Sequence, residues 1–256
     1  MKTSSIFNSV KLKLSEGKQV VGGTIQTPDS KIYLAMANSG FDFIWIEMQH
    51  SPMTYQDVAE MIWAGRDTPA IPFIRIPDAT EGDIQKATDI GALGIIIPMV
   101  NCVKKVEKAI KFSNYPPLGE RSQGGGQYFD LWGKNYRNNA NENIIIIAQI
   151  ESPSGVDIVE NLVQIDGLDV IMVASTDLAS FSGFKQGDEE YEKLVSKVSI
   201  ATLSSGLILG GPYAWKNRKG FTFFQAPTAE ELLSRGVKNL LLEEIDGFAQ
   251  TEGSGR

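Results

Sequence analysis

One histidine, His50, closes the apolar run Phe43-Ile44-Trp45-Ile46-Glu47-Met48-Gln49-His50, and it is the only imidazole in the chain. Histidine has the side chain whose unperturbed pKa lies nearest neutrality, so at the point where a strand becomes a loop it suits proton transfer. Other polar residues stand at the ends of comparable apolar runs: Glu47 and Gln49 beside it, Arg75 within residues 71–77, Gln149 and Glu151 closing residues 143–151, and Asp177 just beyond residues 168–175. Two carboxylates, a glutamine and an arginine converging on one rim describe a divalent-cation site that holds an anionic substrate. Carboxylate oxygens suit Mg²⁺ or Mn²⁺. For Asp177, in Ser175-Thr176-Asp177-Leu178, capping a helix is an equal alternative.

Such a rim requires strands that all end on the same side. Short β-branched runs at residues 20–26, 42–48, 71–77, 93–100, 143–151, 168–175, 207–213 and 239–245 alternate with amphipathic stretches, the pattern of repeated βα units. Gly94-Ile95-Ile96-Ile97 and Ile144-Ile145-Ile146-Ile147 are apolar without alternation, as strands of a parallel sheet covered on both faces must be. Helices are expected over residues 28–38, 54–65, 84–90, 103–112, 153–164, 188–205 and 228–235. Eight strands predict an α/β (β/α)8 TIM barrel, whose active site lies at the C-terminal mouth. A doubly wound sheet would carry a glycine fingerprint after its first strand, and here that strand ends in Gln26-Thr27-Pro28. Residues 2–16 read as an extra N-terminal helix closing the barrel floor. The residues after 245 are too few for a full eighth helix, so that helix is expected to be short or missing and strand eight to be covered by a neighbouring subunit or by the N-terminal helix. Residues 1–250 form one domain on this reading, with 251–256 a flexible tail or cloning scar.

The chain has 256 residues, 42% hydrophobic and 21% charged, which is ordinary for a globular protein. Its net charge of −7 opposes the phosphate attraction that nucleic acids and acidic membranes offer, so small molecules are the expected partners. A single cysteine, Cys102, excludes an intrachain disulfide and any multi-cysteine metal centre, and fits a reducing cytoplasm. Neither a secretory leader nor a membrane span is visible in the sequence.

From about Gly22 to Leu242 the chain resembles the HpcH/HpaI aldolases, metal-dependent class II pyruvate aldolases. The resemblance rests on Phe41-Asp42, Glu47-Met48-Gln49-His50-Ser51-Pro52, Arg75-Ile76-Pro77, Asp89-Ile90-Gly91-Ala92 and Pro98-Met99-Val100. It continues through Tyr115-Pro116-Pro117, the loop from Arg121 to Gly126, Gln149-Ile150-Glu151 and Thr176-Asp177-Leu178. It implies that Glu151 and Asp177 hold a divalent metal, Mg²⁺ or Mn²⁺ with Co²⁺ also admissible. Gln149, Thr176 and Glu47 would contact substrate, Arg75 would neutralise the developing enolate, and His50, paired with Asp89, would move the proton. The implied activity is reversible cleavage of a 4-hydroxy-2-oxo acid to pyruvate and an aldehyde through a pyruvate enolate, in a homo-oligomeric trimer or hexamer. Where the family shows Asp-x-Glu-His-Gly, this chain has Glu47-Met48-Gln49-His50-Ser51, and for Gly-Pro-Ala-Asp it has Ala174-Ser175-Thr176-Asp177. Glu47 is thus one methylene longer, and Gln49 lacks a charge.

Three alternatives remain at this stage. A macrophomate synthase-like enzyme would form the same enolate by decarboxylating oxaloacetate and capture it with another electrophile. A silent barrel would bind a 2-oxo acid without turnover. A class I aldolase needs a lysine in the mouth, and Lys216, just past strand seven, is the nearest candidate, with a solvated loop as the plainer account. Two loops complete the expectations. Arg121 with Gly124-Gly125-Gly126 suits an anion cradle or a mobile loop, and residues 212–227, with Tyr213, Trp215, Phe221, Phe223 and Phe224, suit a lid or acceptor pocket as well as they suit subunit packing.

Overall fold

The computed structural model describes residues 6–242. Eight parallel strands close on themselves in sequence order: β1 (Val20–Ile25), β2 (Phe43–Glu47), β3 (Ile71–Arg75), β4 (Gly94–Ile97), β5 (Ile145–Ile150), β6 (Val170–Val173), β7 (Ile208–Pro212) and β8 (Phe221–Thr228). The helices are α1 (Ser9–Ser15), α2 (Ser30–Ala37), α3 (Tyr55–Ala64), α4 (Glu81–Asp89), α5 (Val103–Ser113), α6 (Tyr128–Trp132), α7 (Tyr136–Asn143), α8 (Pro153–Asp157), α9 (Val159–Leu162), α10 (Ser175–Ser182), α11 (Glu189–Ser204) and α12 (Ala229–Leu242). This is the (β/α)8 barrel that the alternation of runs predicts, with α1 added before β1.

Local signals set the helix starts. Thr54 accepts from the Asp57 N–H while the Asp57 carboxylate accepts from the Thr54 N–H, a reciprocal capping box at α3. Asp29 caps α2 by accepting from the N–H groups of Lys31 and Ile32, and Thr80 caps α4 by accepting from that of Asp83.

Side chains in a strand alternate between barrel interior and outer face. Along β2, Ile44 and Ile46 pack outward under the helices, whereas Phe43, Trp45 and Glu47 point inward. The inward positions near the strand starts form an aromatic floor. The Phe43 ring stacks on Phe73 at 4.5 Å and on Phe223 at 4.9 Å between centroids, and Val10 and Leu14 of α1 join the same cluster. Glycine makes room for these rings: a Cβ on Gly22 would stand 2.0 Å from the Phe43 ring, and one on Gly94 2.3 Å from Phe73. Further along the same strands the inward positions turn polar, at Thr24, Glu47, Arg75, Gln149 and Gln225.

The eighth unit departs from expectation. β8 is Phe221–Thr228, nearly all of it within the stretch 212–227 expected to be a lid, an acceptor pocket or a subunit-packing segment, and residues 239–242, expected to begin strand eight, belong to α12. Residues 243–245 and the tail at 251–256 lie outside the described residues. A full eighth helix is therefore present. Phe223 and Phe224 are completely buried barrel residues rather than lid residues. The aromatic and β-branched run pairs on both sides, with β1 and β7, and this satisfies its backbone in a way a lid loop would not. Prolines at 212 and 227 suggest a loop in the sequence, but both sit at strand ends, where a missing N–H costs least.

Candidate active site

Glu47, at the last position of β2, has no exposed surface. Its Oε2 lies 2.5 Å from Nε of Arg75 in an ion pair and 3.3 Å from the Trp45 indole N–H that donates to it. Its Oε1 accepts from the backbone N–H groups of Gln49 at 2.8 Å and His50 at 3.0 Å. One carboxylate thereby fixes both the guanidinium and the turn that carries the histidine. Arg75 is 7% exposed, and its Nη1 donates to Oε1 of Gln149 at 3.3 Å. A desolvated charge needs such partners, since a buried ion left alone costs several kcal/mol.

Glu151 follows β5 directly and is buried. Its Oε1 accepts from the Met99 N–H at 2.9 Å, and Met99 takes the left-handed conformation, with φ of 49°, at that point. Burial holds the Glu151 carboxyl above the ordinary carboxylate range; Asp177 adds to the rise, while the Met99 N–H and Arg75 oppose it. Asp177 sits in the first turn of α10. The residue at the helix N-cap is Ala174, whose side chain makes no capping bond, so the first N–H groups of α10 have no side-chain acceptor, and capping does not account for Asp177. Thr176 is exposed on the same turn. Arg75, Gln149, Thr176 and Asp177 all line a cavity of about 210 Å³ at the mouth.

His50 is exposed at the rim, and its ring has no hydrogen-bond partner among the described residues. The expected pairing with Asp89 is not made within the chain. Asp89 closes α4, where Oδ1 accepts from Arg121 Nη2 at 3.0 Å and Oδ2 from Gln85 Nε2 at 2.9 Å. Arg121 is enclosed by Tyr115, Tyr128 and Tyr136, with ring centroids 4.7, 5.1 and 5.4 Å from its guanidinium carbon, and it donates to the Tyr136 hydroxyl. The loop from Arg121 to Gly126 lines neither mouth cavity. Its carbonyls are engaged instead: Gly124 O accepts from Tyr128 and Arg137. Lys216 lies outside both cavities, so the lysine that a class I mechanism would need is absent from their linings.

A second cavity, of about 360 Å³, opens beside the first and shares Arg75, Pro212 and Gln225 with it. Glu47 also lines it, together with Gln26, Tyr213 and Arg235. Gln26, Gln225 and the Met99 N–H were not singled out from sequence. Gln225 was legible in principle: it is two residues beyond Phe223 and shares its inward parity, but only once residues 221–228 are recognised as a strand.

The barrel carries three carboxylates, an arginine and a glutamine on the rims of β2, β3, β5 and β6, and residues 27–211 of the chain match the HpcH/HpaI aldolase/citrate lyase family. The chain belongs to that family. It is 30% identical to a hydroxypyruvate/pyruvate aldolase of Rhizorhabdus wittichii over 93% of this chain and 98% of that one. A 2-keto-3-deoxy-L-rhamnonate aldolase of Salmonella gallinarum is 27% identical over 96% of this chain and 90% of its own. Among solved structures, the citrate synthase SbnG superposes with a TM-score of 0.80 at 27% identity, covering 93% of this chain and 96% of that one. These homologues make the chain a carbon-carbon lyase of the aldolase type.

Proposed function

We propose that this protein reversibly cleaves a 4-hydroxy-2-oxo acid to pyruvate and an aldehyde, with a divalent cation, Mg²⁺ or Mn²⁺, held by Glu151 and Asp177. The observation that carries the proposal is the buried Glu151 carboxylate, whose charge is disfavoured first by burial and also by nearby Asp177, beside Gln149 and the uncapped start of α10. Two neighbouring carboxylates are relieved by a cation. No group of three or more His, Cys, Asp or Glu stands together among the described residues, so Glu151 and Asp177 are the two side chains that would hold the cation. When bound, the metal acts as a Lewis acid that acidifies the methyl protons of a 2-oxo acid.

The protein's own groups supply the rest. The N–H groups opening α10 and the Thr176 hydroxyl attract the substrate carboxylate through the helix dipole. Arg75, aimed by Glu47 and Gln149, faces the oxygen on which enolate charge develops, where a fixed cation in a dry site stabilises it strongly. Glu47 acts by holding Arg75 and the His50 turn, since both its oxygens are already engaged. His50 carries the proton at the rim, and solvent access at that position permits its exchange.

The likeness to a citrate synthase supports a second reading, another carbon-carbon bond formation at the same mouth; in the form we propose, decarboxylation of oxaloacetate supplies the enolate. Methyl-proton exchange of pyruvate in D₂O, followed by NMR, separates the two. Exchange that depends on Mg²⁺ or Mn²⁺ and is lost in His50→Ala supports the aldolase; turnover of oxaloacetate without pyruvate exchange supports the alternative, and neither supports a binding role.

A homo-oligomer is favoured by α12, where Leu233, Val237, Leu240, Leu241 and Leu242 are all exposed. Light scattering on the purified chain distinguishes a trimer or hexamer from a monomer. No helix among the described residues is long and apolar enough to cross a membrane. The lone exposed Cys102 suits the reducing cytoplasm that we propose as its location.

A further inference from the structure

The larger mouth cavity lies beside the one assigned above to pyruvate, and its lining is chemically distinctive. It begins at Arg75 and Glu47, crosses the ends of β1 and β8, and reaches the first two turns of α12. Its volume of about 360 Å³ corresponds to roughly a dozen waters at about 30 Å³ each, enough for a three- or four-carbon molecule. The inner wall is built of neutral hydrogen-bonding groups. The Thr24 hydroxyl donates to Ala226 O at 3.0 Å and accepts from Gln225 Nε2 at 3.3 Å, leaving Oε1 of Gln225 without a partner among the described residues. The Gln26 amide, half-buried at the end of β1, has no partner among them either.

The charges present cancel one another. Glu47 is paired with Arg75 at the inner end, and Arg235 with Glu231 at the outer end. A ligand bearing its own carboxylate would have to break the Glu231–Arg235 pair or compete with Glu47 for Arg75. A purely alkyl ligand would cover the amides of Gln26 and Gln225 and leave them unsatisfied, which buried polar groups tolerate poorly. A short chain carrying hydroxyl groups fits both constraints.

We propose that this cavity is the acceptor subsite of the aldol reaction, and that Gln26 and Gln225 select short, uncharged hydroxyaldehydes over aldehydes that are alkyl or carry a carboxylate. The inference rests on the aldolase assignment made above. In the synthetic direction the pyruvate methyl group gives up one proton, and its carbon forms the new bond to the aldehyde carbon. The carbonyl π pair moves onto the aldehyde oxygen, which takes one proton and becomes the C4 hydroxyl. Nothing is oxidised or reduced, and no atom is lost. Because Arg75 and Gln225 border both cavities, an aldehyde in the larger one lies next to pyruvate in the smaller.

The test compares D-glyceraldehyde, propanal and succinic semialdehyde as acceptors for pyruvate in the full chain, assayed with Mg²⁺ or Mn²⁺. The wild-type protein should prefer glyceraldehyde. In Gln26→Leu, kcat/KM for glyceraldehyde should fall about 10- to 100-fold, mainly through KM, while propanal changes less than about threefold, because the lost amide bond has no counterpart there. Gln26→Asn should recover part of the loss, and Gln225→Leu provides an independent second variant.

Equal loss for glyceraldehyde and propanal, or a wild-type preference for succinic semialdehyde, overturns the proposal while leaving the aldolase intact. Wild-type protein that shows no pyruvate methyl exchange with either metal overturns the aldolase assignment itself, and the acceptor subsite with it.

Discussion

The floor and the mouth of this barrel are made by the same strands and obey opposite rules. On β2, β3 and β8 the inward positions read Phe43, Phe73 and Phe223 at the floor, and Glu47, Arg75 and Gln225 at the mouth. The floor rings stack within 4.5 to 4.9 Å of one another across two neighbouring contacts, a gain from both area burial and aromatic geometry. The mouth buries an ion pair, a glutamine and a raised carboxyl, none of which lowers the folding free energy as a packed hydrocarbon would. The difference teaches where stability and chemistry reside in this chain: the strand starts hold the barrel closed, and the strand ends keep polar groups desolvated for a ligand.

Changes at the mouth should break chemistry far more than folding. Replacing Asp177 by Asn, or Glu151 by Gln, should lower metal-dependent pyruvate exchange at least about a thousand-fold, equivalent to about 4 kcal/mol in the barrier, while the far-UV circular dichroism stays native. A loss of helix and strand signal in step with activity would place these carboxylates with the structural residues instead.

The floor should behave in the converse way. Phe223→Ala should cost about 4 kcal/mol of unfolding free energy in a urea titration, because a fully buried ring leaves a cavity among neighbours that cannot close on it. If that substitution changed acceptor choice and left stability untouched, the division between the two ends would fail.

Arg75 lies where the rules meet. Arg75→Met should cost about 3 kcal/mol, because Glu47 would remain buried and unpaired, and a second change, Glu47→Gln, should restore much of the stability without restoring exchange. Recovery of both together would show that the pair serves only folding.

The smallest effect expected is a pH dependence. Glu151 has a folded-state pKa above its unfolded one, so the folded chain binds that proton more tightly. Its contribution to stability is fully present below the unfolded value of about 4.3 and is lost as pH rises through the folded one. Metal-free protein should therefore show a melting temperature that declines over this window relative to Glu151→Gln, and saturating Mn²⁺ should remove the difference. Identical pH profiles for the two proteins would mean that burial does not penalise the charge.

Most of the barrel was legible because strand signals are local. Seven of the eight runs coincide with observed strands to within a few residues, and the caps at Asp29, Thr54 and Thr80 stand where side chains of the right type precede apolar periodicity. The eighth unit was misplaced because residues 239–242, Asn-Leu-Leu-Leu, carry an apolar run as strong as a strand's, and only their continuation from Ala229 as one helix decides otherwise. The short helices α6 and α7 and the eight-residue α10 escaped for a related reason: tertiary contacts, more than periodicity, hold such brief elements.

The choice of candidate site residues rests on residue type and position at strand ends. Sequence by itself determined that carboxylates, an arginine and a histidine would crowd one rim, since parallel strands of similar length must end together. Only the tertiary structure decided which of them meet. Glu47 closes on Arg75 because inward parity and the β2–β3 register place these two residues side by side. Asp89 turns instead to Arg121, a residue 32 positions away whose buried guanidinium needs a counter-charge. Pairings of buried charges depend on distances across the fold, and a one-dimensional pattern does not carry them.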